Sequence, residues 1–298
     1  MTLFSGAGVA LVTPFSNGKV DFPKLAELIE WQISHDIDAI ISCGTTGEAS
    51  TLSDEEHIET VRYTINKVAG RVPVISGSGS NDTAHAIAMS QALQDVGVDG
   101  LLTVTPYYNK CTQEGLIKHY TAIADQIKIP MILYSVPGRT GVNISPSTVS
   151  VLCQHEHIAG IKEASGDMSQ VVEIAKHVSD QFALYSGNDD MTVALLSMGG
   201  IGVISTTANI IPKQMHAMVK NYLDGHVEEA CKMQLEMKSL IDAMFIEVNP
   251  IPVKAALHLM GKIEKEYRLP MCEPCEESLR KIERELTAYG VLPPYSCS

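Results

Sequence analysis

Ile158-Ala159-Gly160-Ile161-Lys162-Glu163-Ala164-Ser165 decides the fold, because it stays apolar until a lysine and a glutamate interrupt it. No polar/apolar alternation marks a solvent face, so the run reads as a strand covered on both sides, the habit of parallel sheets. Lysine and glutamate are seldom buried without a partner, which puts Lys162 at the strand's end, facing a cavity. Two roles are open to such a lysine. It can snorkel or pair with a carboxylate. It can also attack a ketone or keto acid, since desolvation favours the neutral amine that forms a Schiff base.

Seven similar runs surround this one: Gly8–Thr13, Ala39–Gly44, Pro73–Gly79, Gly100–Pro106, Met131–Pro137, Ala183–Gly187 and Gly202–Thr206. They recur roughly every 20–35 residues, and the gaps carry helical patterns. Ser53 and Glu56 form a capping box ahead of the stripe Ile58, Val61, Ile65 and Val68. Leu25–Ile33, Ala84–Val96, Leu116–Ile127, Val171–Val178 and Met191–Met198 read similarly. Eight strand–helix units of this length predict an α/β fold, a (β/α)8 TIM barrel. A doubly wound sheet is the alternative, but no Gly-x-Gly-x-x-Gly follows the first strand and no Walker loop is present. After Pro212 only helical patterns remain: Lys213–Leu223, Val227–Ile246, Pro252–Met260 and Glu276–Tyr289. The expected organisation is a catalytic barrel over residues 1–211 and an all-helical C-terminal appendage over 212–298.

Of the 298 residues, 45% are hydrophobic and 19% charged, ordinary for a globular enzyme. The net charge of −13 argues against a nucleic-acid partner, which requires clustered Lys and Arg. No basic leader opens the chain and no apolar run reaches about 18 residues, so a cytoplasmic protein without a membrane segment is expected. The cysteines stand at 43, 111, 153, 231, 272, 275 and 297, an odd set that suits reduced thiols. Cys272 and Cys275 are the only close pair, and a four-thiolate site requires a second, so no metal is expected.

In such barrels chemistry lies at the carboxyl ends of the strands. Here one end is Cys43-Gly44-Thr45-Thr46-Gly47-Glu48, a small-residue turn whose N–H groups and hydroxyls suit a carboxylate. Others are Thr105-Pro106-Tyr107-Tyr108-Asn109 and Tyr134-Ser135-Val136-Pro137-Gly138-Arg139-Thr140-Gly141. Lys162 ends a fourth. Together with Gly199-Gly200-Ile201-Gly202-Val203-Ile204-Ser205 and Asn249-Pro250-Ile251-Pro252-Val253-Lys254, these motifs resemble the dihydrodipicolinate synthases, in order and over essentially the whole chain.

The resemblance implies a lyase that uses no cofactor. Lys162 condenses with pyruvate, and the enamine attacks aspartate semialdehyde, giving hydroxytetrahydrodipicolinate in diaminopimelate and lysine biosynthesis. It further implies a proton relay through Tyr134, Thr45 and Tyr108, with Thr46 on the pyruvate carboxylate. Arg139 would grip the semialdehyde carboxylate, which a planar fork of donors suits. Gly187 and the Ile204 carbonyl become further pocket contacts. Tyr108 is implied to reach a neighbouring subunit's site, in a homo-oligomer built as a dimer of dimers.

Ser135 stands where the family usually has Asn, and Cys111 where a proline is common; neither removes a catalytic group. Lysine-inhibited relatives hold the inhibitor at positions matching Ala49, Ser50, Asp54, His57, Asn81, His85 and Tyr107. Asp54 and His85 replace the usual His and Glu, which predicts weak or absent inhibition by lysine. A different pyruvate-dependent aldolase, such as N-acetylneuraminate lyase or a keto-deoxy sugar acid aldolase, is the main rival. Arg139 argues against it, since a polyhydroxylated substrate calls for hydroxyl partners. A keto-acid sensor is a remoter rival, disfavoured by the presence of a full set of reacting groups.

Overall fold

Strands with no polar face must be covered twice, and closing the sheet on itself inside a ring of helices does this. The computed structural model describes residues 2–293. Its strands are β1 (Gly6–Ala10), β2 (Phe15–Ser16), β3 (Lys19–Val20), β4 (Ala39–Ser42), β5 (Val74–Gly77), β6 (Gly100–Val104), β7 (Met131–Ser135), β8 (Ile158–Glu163), β9 (Ala183–Ser186) and β10 (Gly202–Ser205). Eight of them form a closed barrel in the order β1-β10-β9-β8-β7-β6-β5-β4, and β1 pairs in parallel with both β10 and β4. The two-residue strands β2 and β3 make a separate antiparallel hairpin. The expected TIM barrel is the observed architecture.

Parallel register and alternation sort the side chains. Ile132, Tyr134 and Val136 of β7 and its end belong to the interior cluster with Ile41, Ile75, Leu102, Ala183, Tyr185 and Ile204. Outward residues such as Leu133, Ile161 and Leu184 pack beneath the helices. Phe4 and Tyr185 stack with ring centroids 4.7 Å apart, and the Tyr185 hydroxyl donates to the Phe4 carbonyl at 2.7 Å.

Local signals set most helix starts. The Ser53 hydroxyl accepts from Glu56 N while Glu56 Oε2 accepts from Ser53 N, both at 3.2 Å, completing the expected capping box of the helix Asp54–Val68. Asp21, Asp82, Thr112 and Asp167 cap Phe22–Ile33, Thr83–Val96, Gln113–Ala124 and Met168–Ala175, each side chain accepting from a first-turn N–H. Three details depart from the sequence reading. β1 begins at Gly6 rather than Gly8, where small residues conceal the pairing; a Cβ on Gly202 would stand 2.2 Å from the Gly6 carbonyl oxygen. The helix Pro146–Leu152, capped by Ser145, was not anticipated. The expected helix Met191–Met198 divides into a 3-10 turn, Asp189–Met191, and the helix Thr192–Leu196.

Past β10 come the helices Pro212–Leu223, Val227–Met244, Ile251–Leu259 and Glu276–Ala288. Met215 and Met218 of the first share a core with Ala7 and Val9 of β1, and the same core continues through Met237, Leu240 and Leu286. Polar ties reinforce this seam. Arg268 donates to both Glu56 carboxylate oxygens, at 2.7 and 2.8 Å, and Lys254 pairs with Glu48 at 2.5 Å. None of the described helices is long and apolar enough to cross a membrane.

Candidate active site

Register builds the centre. Tyr134 on β7, Lys162 on β8 and Tyr185 on β9 are paired neighbours, so their side chains lie at one level of the barrel interior. Lys162 is 5% exposed, and its Nζ sits 4.3 Å from the centroid of the Tyr134 ring. No carboxylate approaches that nitrogen within 4.0 Å among the described residues. The other deeply buried lysine, Lys254, does have a carboxylate partner. Gly187 makes room for the Lys162 stem: a Cβ there would lie 2.6 Å from Ala164 Cβ and 3.1 Å from Lys162 Cε. The Gly187 N–H donates to the Glu163 carbonyl at 2.7 Å, so the backbone cannot simply retreat.

The turn after β4 supplies the opposite wall. Cys43 and Glu48 adopt left-handed φ values of 51° and 53°, which fold Thr45 and Thr46 back over the strand end. Thr46 Oγ1 accepts from Asn249 Nδ2 at 2.9 Å and lies 3.3 Å from Thr206 Oγ1. Arg139, on the short helix Pro137–Thr140, donates through Nη2 to the Asn249 carbonyl at 3.1 Å. Asn249 thus fixes both the threonine and the arginine, and its own Oδ1 is buried without a partner.

These elements enclose a cavity of about 180 Å3 lined by Lys162, Tyr134, Thr45, Thr46, Arg139 and Gly187, six of the eight residues expected at the site. Ile204, expected to contribute its carbonyl, is not among the lining residues; its side chain packs in the barrel interior, 1% exposed. Tyr108 is not there either. It is 91% exposed with φ 70° and does not line this chain's own cavity. The lining also includes Asn188, Thr206 and Asn249, to which the sequence reading gave no role at the site, although Asn249 opens one of the motifs that carry the resemblance. Asn188 and Thr206 follow β9 and β10 and were within reach of the strand-end rule. Asn249 lies far along the chain among helices, where that rule gives no signal.

Two carboxylates lie just outside. Glu163 faces away from the cavity, and Gln170 Nε2 donates to it at 2.9 Å; burial pushes its carboxyl above the usual range. Burial does the same to Asp189.

A second hollow, about 440 Å3, shares Gly44, Thr45, Tyr134 and Arg139 with the first. Of the expected regulatory positions, Ala49, Ser50, Asp54, His57, His85 and Tyr107 line it. Asn81 does not; its carbonyl accepts from Asn109 Nδ2 at 2.9 Å. His85 Nε2 lies 3.1 Å from both Asp54 carboxylate oxygens. His57 is buried, with Nε2 3.4 Å from Ser76 Oγ, and burial brings its ring down to about 4.

No group of three or more metal-ligating side chains occurs among the described residues. Cys43 is buried and its thiol is pushed up to about 12, whereas Cys272 and Cys275 are exposed free thiols. Cys297 lies outside the described residues.

The dihydrodipicolinate synthetase family profile matches residues 3–289. The 4-hydroxy-tetrahydrodipicolinate synthase of Acetivibrio thermocellus is 54% identical over 290 residues, 97% of this chain and 99% of its own. Among solved structures, the chloride-inhibited dihydrodipicolinate synthase from Acinetobacter baumannii, complexed with pyruvate, superposes with a TM-score of 0.95 at 41% identity, covering 98% of this chain and 100% of that one. The lysine-bound enzyme from Cyanidioschyzon merolae gives a TM-score of 0.95 at 38% identity, with coverage of 98% and 100%.

Proposed function

Since this chain belongs to the dihydrodipicolinate synthetase family, we propose that it condenses pyruvate with aspartate semialdehyde to 4-hydroxy-tetrahydrodipicolinate through an imine on Lys162. The observation that carries the assignment is the pairing pattern of the two buried lysines. Lys254 is neutralised by Glu48, and Lys162 opens into the cavity beneath Tyr134 with no carboxylate within 4.0 Å of its nitrogen among the described residues.

The steps follow from what surrounds the amine. Lys162 Nζ adds to the pyruvate carbonyl and water leaves, forming the imine. Thr45, Thr46 and the N–H groups of their turn receive the carboxylate, so the carbonyl carbon lies over the nitrogen. Loss of a methyl proton gives the enamine, whose carbon attacks the aldehyde of the second substrate. The amino group of that substrate then adds to the imine carbon, closing the ring and expelling Lys162. Each step moves a proton, and Tyr134, whose ring centroid lies 4.3 Å from the reacting nitrogen, carries a phenol suited to relay it. Arg139, steered by Asn249, takes the second carboxylate.

The exposed ring of Tyr108 supports a second copy as the missing part of the relay, within a homo-oligomer that we take to be a dimer of dimers. A cytoplasmic setting belongs to the same proposal. For the hollow beside the site we propose a weakened lysine site, because His85 already occupies the Asp54 carboxylate. The assignment is tested by turnover of pyruvate plus aspartate semialdehyde against cleavage of N-acetylneuraminate. Turnover of the first pair alone is the expected result, and cleavage of the sugar acid alone would reject it.

A further inference from the structure

Asp189 lies directly behind the cavity and takes no part in the mechanism above. It is 1% exposed and opens the turn that follows β9. Its Oδ2 accepts from Thr207 N at 2.7 Å, across to the turn that follows β10. Its Oδ1 is buried without a hydrogen-bond partner, and so is Thr207 Oγ1. The Asp189 carbonyl accepts from Gln234 Nε2 at 3.0 Å, anchoring the residue to the helix Val227–Met244.

The chain on either side of this bond forms the site. Asn188 and Gly187 precede Asp189; both line the cavity, and Gly187 stands against the Lys162 stem. Thr206 precedes Thr207 and lies 3.3 Å from the Thr46 hydroxyl. One hydrogen bond therefore spans the two strand ends that form the floor beneath the nucleophile. Parallel strands joined through separate helices offer little else to fix the spacing of their end loops, and a misplacement of about 1 Å at a reacting group costs on the order of 10²-fold in rate.

We propose that Asp189 is a positioning residue for the keto acid: its bond to Thr207 N holds Thr206 and Gly187 at the spacing that presents Thr46 and Lys162 to one pyruvate molecule. What the bond requires of Asp189 is an acceptor oxygen. Burial pushes its carboxyl up while Thr207, Ser205 and the Lys162 charge oppose that shift, and the geometry calls only for the oxygen that faces Thr207 N. Asparagine should therefore replace it, because a carboxamide oxygen also accepts from Thr207 N and its NH2 fits where Oδ1 stands. Alanine removes the acceptor and leaves the Thr207 N–H buried and unpaired.

The inference rests on the Lys162 imine, and its test separates the two. The readout is the pyruvate concentration that half-saturates borohydride-trapped adduct, measured with the KM for each substrate in wild type, Asp189→Asn and Asp189→Ala. Absence of adduct in the wild type would defeat the imine reading itself. Given wild-type adduct, Asp189→Ala is expected to raise both the half-saturating pyruvate concentration and the pyruvate KM at least about tenfold, with the aldehyde KM changed less than about threefold. Asp189→Asn is expected to stay within about threefold of wild type. An alanine variant with wild-type pyruvate dependence, or an asparagine variant as impaired as alanine, overturns the proposal. If the alanine variant does not fold, Asp189→Ser takes its place and is judged by the same outcomes, because its shorter hydroxyl cannot span to Thr207 N.

Discussion

Two lysines are buried at the centre of this protein, and truncating each should have opposite consequences. Lys254 is 1% exposed, its Nζ is 2.5 Å from Glu48 Oε1, and Glu48 is 2% exposed in side chain with Oε2 lacking any partner. Burial pulls the Lys254 ammonium below the usual lysine range, and Glu48 opposes that shift. Lys254→Met strands the Glu48 carboxylate in the interior, a change that typically costs about 3–5 kcal/mol. Arg268 stacks on the same Phe15 ring as Lys254 and also feels Glu48, which offsets part of the loss and favours the lower figure. A loss of about 3 kcal/mol lowers Tm by roughly 5 °C in a chain of this size. Lys162→Ala removes no ion pair and should cost about 1 kcal/mol of stability while abolishing turnover. The assay is thermal and urea unfolding at one protein concentration, since association shifts apparent stability. Lys254→Met/Glu48→Gln, which deletes both charges, should regain at least half of the single-variant loss. A Lys254→Met loss below about 1 kcal/mol, or strict additivity in the double variant, would refute the assignment of Lys254 as the structural lysine.

Subunits carrying Tyr108→Ala, mixed with subunits carrying Lys162→Ala, should recover activity as hybrids; no recovery after verified exchange would mean that Tyr108 acts within its own chain. His57 is held neutral down to about 4 against about 6.5 unfolded, so between those values the unfolded chain binds the extra proton and stability falls on acidification. About 2 kcal/mol should be lost between pH 7 and pH 5 through this residue, and His57→Gln should flatten that part of the unfolding curve; an unchanged slope would rule it out. Lysine should inhibit weakly: His85 stands where a carboxylate meets the inhibitor's ammonium in responsive relatives, and Asp54 is already engaged by His85. Losing one charge-assisted hydrogen bond of about 1.5–3 kcal/mol weakens binding roughly 10–150-fold. Half-inhibition below about 0.5 mM in initial-rate titrations would show the site intact.

The barrel was legible because its strands are apolar runs closed by small residues or proline, and six of the helices between them start at a side-chain cap. The sequence missed what depends on neighbours in space. Pairing of Gly6–Gly8 with β10 leaves no hydrophobic trace, and the helix Pro146–Leu152 is too short to show a stripe. At the site, Lys162, Tyr134 and Arg139 could be found because polar residues at the ends of buried strands are conspicuous. Asn249 and Asp189 were not conspicuous: one is imported from the helical region, and the other works through a single bond to a backbone N–H. Ile204 entered through a resemblance of motifs, as a carbonyl contact; its side chain packs in the barrel interior.

The central claim is that Lys162 is the covalent nucleophile, and trapping the imine tests it most directly. Pyruvate and borohydride are added to the native protein, which is then digested and mapped by mass spectrometry. The expected result is one reduced pyruvyl group per chain, carried on the peptide containing Gly160-Ile161-Lys162-Glu163 and absent when pyruvate is omitted. Lys254, locked to Glu48, should remain unmodified. Adduct on any other lysine with Lys162 intact, or no adduct in a preparation that turns over both substrates, would contradict the account.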